Sequence, residues 1–97
     1  MKFVQIIEFK TKDIAGFNKA LDEWIEKTQG VRTNTRALQA QDRDAADTYL
    51  QIVEFPSYEE AMENSNRPET AEFAATLAKF CDGPPAFRNL DVMREES

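Results

Sequence analysis

The sequence contains no histidine among its 97 residues. That absence removes Ser-His-Asp and Cys-His nucleophiles, histidine-ligated haem and histidine-based zinc sites together. General acid–base work would fall to Asp, Glu, Tyr or Lys. Cysteine occurs once, as Cys81, so no internal disulfide can form, and the chain suits a reducing cytoplasm. Apolar runs are short. None approaches the roughly 18 residues of a transmembrane helix. The stretch from Met1 to Glu8 lacks a small-residue cleavage site and reads as a first strand, not a signal peptide. Basic residues are also in deficit, 12 against 18 acidic, for a formal charge of −6. Nucleic acid and anionic membrane surfaces both call for clustered Lys and Arg, so neither partner is expected.

What is present is an ordinary globular composition, 41% hydrophobic and 31% charged. The length suits one domain over residues 1–97. A chain this short often completes its burial by oligomerising. The clearest local signal is the strand 48–55, rich in β-branched and apolar residues and stopped by Pro56. Ser57 and Glu60 follow with capping-box spacing, so the chain turns from strand directly into helix. That helix, 57–65, carries Tyr58, Ala61 and Met62 on one side and stops at Asn64 to Asn66. Asn66 to Glu69 repeats the capping spacing and opens a second helix over 67–81, with Asn66 as its cap. Thr70, Phe73, Ala74, Leu77, Ala78 and Cys81 form its apolar stripe, expected to be buried. Asp82 to Pro85 ends it.

Earlier in the chain, residues 2–10 read as a strand with two apolar faces. Asp13 caps a helix from Ile14, whose residues Phe17, Leu21, Trp24, Ile25 and Thr28 recur with a 3.6 period, and Gly30 ends it. Residues 31–40 read as a weaker strand with Arg32, Asn34 and Arg36 on one parity. Residues 41–47 form a polar hairpin loop. Its Asp42, Asp44 and Asp47 lack the glycine and distal glutamate of a calcium loop and read as a solvated turn. A last strand spans 86–94, followed by a polar tail to Ser97. The order β-α-β-β-α-β, with the last helix broken in two, is the ferredoxin-like α+β pattern: a four-stranded antiparallel sheet with helices on one face.

Strand parity divides the sheet residues into two sets. Val4, Ile6, Leu50, Ile52, Leu90 and Val92 are aliphatic. Phe3, Gln5, Phe9, Tyr49, Gln51, Phe55, Phe87 and Asn89 are aromatic with interleaved amides. The aliphatic face calls for cover, and a second copy of the sheet supplies it most simply, giving a homodimer through sheet faces.

In its element order and in the junction Glu54 to Ala61, followed by Asn64 to Thr70, the chain resembles the dimeric α/β barrel superfamily. Its layout is similar to the antibiotic-biosynthesis monooxygenases, in the manner of an uncharacterised bacterial member. The resemblance covers almost the whole chain. It implies a face-to-face dimer and a choice of activities that includes cofactor-independent oxygenation, isomerisation and none assigned. Phe55 stands where many such proteins have tryptophan, and no histidine follows the third strand, which excludes a haem-type role.

The aromatic–amide set suits a packed aromatic core with internally bonded amides, or a ligand cavity with apolar walls and a few placed polar groups. The substrate-binding candidates are Gln5, Gln51, Phe55, Tyr58 and Asn89. Trp24, Asn64, Tyr49 and Arg32 are the catalytic candidates. Trp24 is either core or a wall on which a flat ligand stacks. Tyr49 can donate a proton. Arg32 can hold a carboxylate or enolate oxygen, or can serve as an edge-strand charge against aggregation. Asn64 is placed to point into a cavity mouth. Cys81 reads as packing on an apolar helix face. The cavity is expected between the sheet and the broken helix, without metal or cofactor. Two functions fit: a small cofactor-independent enzyme acting on an aromatic or enolisable metabolite, or a non-catalytic dimeric module that binds a hydrophobic small molecule.

Overall fold

The structure, a computed structural model, describes residues 1–96. Seven elements follow in the order β1 (Phe3–Lys10), α1 (Ile14–Lys27), β2 (Arg36–Gln41), β3 (Thr48–Phe55), α2 (Tyr58–Ser65), α3 (Pro68–Ala78) and β4 (Ala86–Asp91). The strands form one antiparallel sheet in the order β2-β3-β1-β4, which is the ferredoxin-like arrangement.

Local chemistry explains most of the boundaries. The Asp13 carboxylate accepts from the Gly16 N–H and starts α1. Gly30, at φ +84°, supplies the left-handed turn just beyond its end. The Ser57 hydroxyl accepts from the Glu60 N–H at 3.2 Å, so α2 begins directly after β3 as the capping spacing predicts.

Four sequence expectations change. The strand predicted from residue 31 begins only at Arg36. Before that the chain is still leaving α1: the N–H groups of Val31 and Arg32 both donate to the Thr28 carbonyl, and ladder pairing starts with Thr35 N–H to the Glu54 carbonyl. Arg32 and Asn34 therefore lie on the connection and not on an edge strand. Asn66 does not cap the second helix; it is the C-cap of α2. The cap of α3 is Arg67, whose extended backbone (φ −70°, ψ 140°) is what a residue before proline adopts, and Pro68 takes the first helical turn. The last strand stops at Asp91, although the Val92 N–H still donates to the Lys2 carbonyl. The apolar stripe of α3 is not buried: no residue of that helix is. Periodicity identified the apolar side of α3 correctly, but the space it faces is open. Ser97, the end of the expected polar tail, lies outside the described residues.

Register confirms the division of the sheet. Phe3 stands opposite Phe55, Ile7 opposite Gln51 and Phe9 opposite Tyr49, while on the neighbouring strand Gln5 stands opposite Asn89 and Ile7 opposite Phe87. The aromatic–amide residues thus share one face, the face beneath the helices. The other face carries Val4, Ile6, Leu38, Leu50, Ile52 and Leu90, and at its edge Lys2 bridges the carboxylates of Glu54 at 2.8 Å and Glu95 at 2.6 Å.

The helix-side core sits at the two ends of β1. At one end Phe3, Phe55 and Ala61 are buried together with Val53 beside them, and the Tyr58 ring meets Phe3 edge-on at 5.4 Å. At the other, Phe9 stacks on Phe17 at 4.1 Å and on Tyr49 at 5.7 Å. Buried Thr11 ties this second end together. Its hydroxyl donates to the Phe80 carbonyl and accepts from the Asp13 N–H, and its own N–H reaches the Asp47 carbonyl. Between the two ends β1 presents Gln5 and Ile7, which are only partly buried.

Candidate functional site

The middle of the sheet is the floor of a cavity of about 530 Å³. Gln5 and Ile7 of β1 and Gln51 and Val53 of β3 form the floor, with Phe9 and Phe55 at its ends. The α1 wall is Phe17, Leu21, Trp24 and Ile25, the same residues that set its helical period. The stripe of α3 (Thr70, Phe73, Ala74, Leu77, Ala78) forms the other wall. A straight helix after β3 would close this layer. The break at Ser65 to Arg67 lets α3 stand away from the sheet instead.

Most of the lining is apolar, and its polar groups gather where α1 ends. Arg32 is anchored there by donating from Nη1 to the Ile25 carbonyl at 3.0 Å and to the Thr28 hydroxyl at 3.3 Å. This places a cation on the carbonyl end of α1, where the helix dipole favours it. The guanidinium carbon also lies 5.5 Å from the centre of the Trp24 ring, which stacks on Phe73 at 5.2 Å. Among the described residues Trp24 Nε1, Asn34 Oδ1 and Asn64 Oδ1 are buried without a hydrogen-bond partner, as are Arg67 Nε and Glu69 Oε2. An orphaned buried donor or acceptor costs about 1–3 kcal/mol, so three in residues lining one cavity call for an explanation. Asn64 is only 7% exposed, deeper than the mouth position expected for it, and its backbone carbonyl accepts from the Thr70 hydroxyl at 2.8 Å across the helix break.

The sheet floor holds a second polar group. Gln39 Nε2 donates to Gln51 Oε1 at 3.0 Å and to Asn18 Oδ1 at 2.8 Å, while Asn18 Nδ2 donates back to Gln39 Oε1 at 3.2 Å. Gln5 Nε2 donates to Asn89 Oδ1 at 3.1 Å. Asn18 and Gln39 escaped the sequence reading. Gln39 shares its parity with Gln51 only once the register of β2 on β3 is known.

The structure thus brings Trp24, Arg32, Asn64, Gln5, Gln51 and Phe55 to one cavity. Asn89 reaches it through Gln5. Tyr49 and Tyr58 stand outside the lining. Tyr49 lies against Phe9 and accepts from Gln41 at 3.4 Å, and Tyr58 is 51% exposed beside Phe3. Cys81 lines the end away from Arg32, half-buried past the last turn of α3, and burial, with Asp82 beside it, pushes its thiol above the usual range. Among the described residues no group of three or more metal-ligating side chains assembles. The hairpin aspartates make a turn in which the Asp42 carboxylate accepts from the Asp44 N–H at 2.8 Å. No helix among the described residues is long and apolar enough to cross a membrane.

No protein-family model and no curated protein matches the sequence. Solved structures do match in shape. SnoaB from Streptomyces nogalater, a cofactor-independent oxygenase, superposes with a TM-score of 0.82 at 12% identity, over 97% of this chain and 95% of that one. Rv0793 from Mycobacterium tuberculosis gives 0.81 at 16% identity, over 100% of both chains. A Caulobacter crescentus protein, provisionally described as an antibiotic biosynthesis monooxygenase, gives 0.83 at 12% identity, over 96% of this chain and 91% of the other. At such identities the likeness establishes fold and leaves activity to the residues. The chain therefore has the ferredoxin-like α+β fold of the antibiotic-biosynthesis-monooxygenase-like structures.

Proposed function

We propose that the chain is a single-domain protomer of a dimer that oxygenates a small, flat, weakly acidic aromatic or enolisable metabolite, without metal or organic cofactor. The observation that carries this reading is the cavity itself: about 530 Å³ of largely apolar wall with the Arg32 and Gln51 side chains in its lining. The likeness to SnoaB, a cofactor-independent oxygenase, supports the same reading.

Stoichiometry makes a cofactor unnecessary. A methylene flanked by activating groups reacts with O2 to give a carbonyl and water; one oxygen atom enters the product, and the substrate supplies every electron. The protein's part is to bind the substrate as its enolate or phenolate, to hold that charge with directed donors, and to exclude water. The free guanidinium nitrogens of Arg32 are the donors at the polar end. Asn64 orients the substrate through its amide.

The lining contains no Asp, Glu, Lys or Tyr. That observation favours a second reading, a dimeric module that binds such a molecule without transforming it, since the wall offers no carboxylate, amine or phenol to take a proton. Under the enzymatic reading the substrate must ionise by its own acidity. A panel of hydroxylated polycyclic phenols and their reduced forms separates the two. Thermal stabilisation with protein-dependent oxygen uptake supports oxygenation, stabilisation without uptake supports the binding module, and absence of both removes the cavity as a ligand site.

A further inference from the structure

We infer that Gln51 is an oxyanion-binding donor on the cavity floor, positioned by Asn18 and Gln39, which stand behind the wall. The inference rests on the reading of the cavity as a ligand site and deepens it.

A glutamine amide has a donating and an accepting end, and which end meets a ligand decides what it can bind. In this chain the choice is made from outside the cavity. Gln39 sits opposite Gln51 in the β2–β3 register, and its Nε2 donates to Gln51 Oε1 at 3.0 Å. Gln39 is itself held by Asn18 of α1 through a reciprocal amide pair, at 2.8 and 3.2 Å. With its oxygen engaged by Gln39, Gln51 has its NH2 group left to offer. Gln51 lines the cavity, whereas Gln39 and Asn18 do not. Turning Gln51 alone would set its NH2 against that of Gln39. In this arrangement of the three amides Gln51 offers an N–H donor within a largely apolar cavity, where a hydrogen bond to an anionic oxygen is stronger than in water. The ligand chemistry that fits is a phenolate or enolate oxygen lying over the sheet.

The test uses two probes, 4-nitro-1-naphthol and its methyl ether, with the full-length protein. The ether reports occupancy of the cavity. The naphthol reports preference for the oxyanion, because its ionised form absorbs at longer wavelength. On the wild-type protein the bound naphthol should ionise about one pH unit below its value in water, a roughly tenfold preference for the anion. Gln51→Met removes the donor from the cavity without adding charge. Gln39→Met removes the donor that holds Gln51 Oε1 and leaves Gln51 free to turn. Gln51→Met should abolish the downward shift and Gln39→Met should reduce it, while both variants still bind the ether. A role confined to folding would not separate the two probes. If Gln51→Met does not fold, Gln39→Met carries the same test. Both probes binding with no shift, or with a shift that survives the substitutions, overturns the oxyanion site and leaves the cavity reading standing. Failure of both probes to bind overturns the cavity reading and this inference with it.

Discussion

At the residue scale, Gly16 shows how one missing side chain sets the closure of the helical layer. A Cβ at this position would meet the Asp13 carboxylate at 2.5 Å and the Phe80 ring at 2.6 Å. Gly16→Ala should therefore push Phe80 away from the first turn of α1 and cost about 1–3 kcal/mol, the usual range for overpacking, read from urea unfolding. Thr11 supports the same junction by hydrogen bonds. Thr11→Val keeps the shape and orphans the Phe80 carbonyl and Asp13 N–H, with an expected loss of about 1–3 kcal/mol in the same assay. Asn64 should behave in the opposite way. Its Oδ1 has no partner, so Asn64→Leu relieves a buried polar atom. Thermal unfolding should show a Tm equal to or above wild type, with stabilisation by added phenol ligands lost. A drop of more than about 2 kcal/mol would make Asn64 a structural residue instead.

At the scale of elements, α3 is the weakly held one. It has no buried residue and no side-chain cap at its start. Its amides should exchange with deuterium faster than those of α1 or of the central strands β1 and β3, and should gain protection when a ligand fills the cavity. Legibility in the sequence followed the range of the governing interactions. The limits of β3 could be read to the residue, since Pro56 and the Ser57 cap act within a few positions. The start of β2 could not, because what keeps Val31 and Arg32 off the sheet is their bonding to Thr28 at the end of α1. Strand parity separated Gln5, Gln51 and Phe55 from the aliphatic face, whereas Gln39 and Asn18 emerged only with register and helix docking. Just before β1, Lys2 pairs by charge with Glu54 near the end of β3. Glu54 is held below its ordinary value of 4.5, chiefly by the hydrogen bond from Lys2, and Lys2 is held above 10.5, chiefly by Glu54. A lowered acid stabilises above its unfolded value, and that gain fades as pH falls through its folded one. A raised base stabilises below its unfolded value, and that gain fades as pH rises through its folded one. The pair's contribution should therefore be whole between about pH 4.5 and 10.5 and decline on either side. In unfolding experiments Lys2→Met should flatten this dependence, and salt should mimic the substitution, because the pair is exposed.

Across the whole molecule, the two faces of the sheet have different tasks. The helix side holds the cavity. The other side presents Val4, Ile6, Leu38, Leu50, Ile52 and Leu90 with no element over them, and Leu38 and Leu90 are 41% and 40% exposed. A second sheet packed on this face would bury on the order of 1,200 Å² or more in total, the size of a stable interface. Sedimentation at micromolar concentration should find a dimer, and Ile52→Lys, at the centre of the patch, should yield a folded monomer. A wild-type monomer under those conditions would remove the pairing.

The separation of packing from cavity also bears on how such a chain can diverge. Phe3, Phe55 and Ala61 at one end of β1, and Phe9 and Phe17 at the other, hold the layers together. Ala74 and Ala78, on the α3 wall, are exposed to the cavity and support nothing beneath them. Enlarging either one reshapes the chamber without disturbing the packed ends. Successive substitutions along one helix can therefore reshape the cavity while the fold is inherited unchanged.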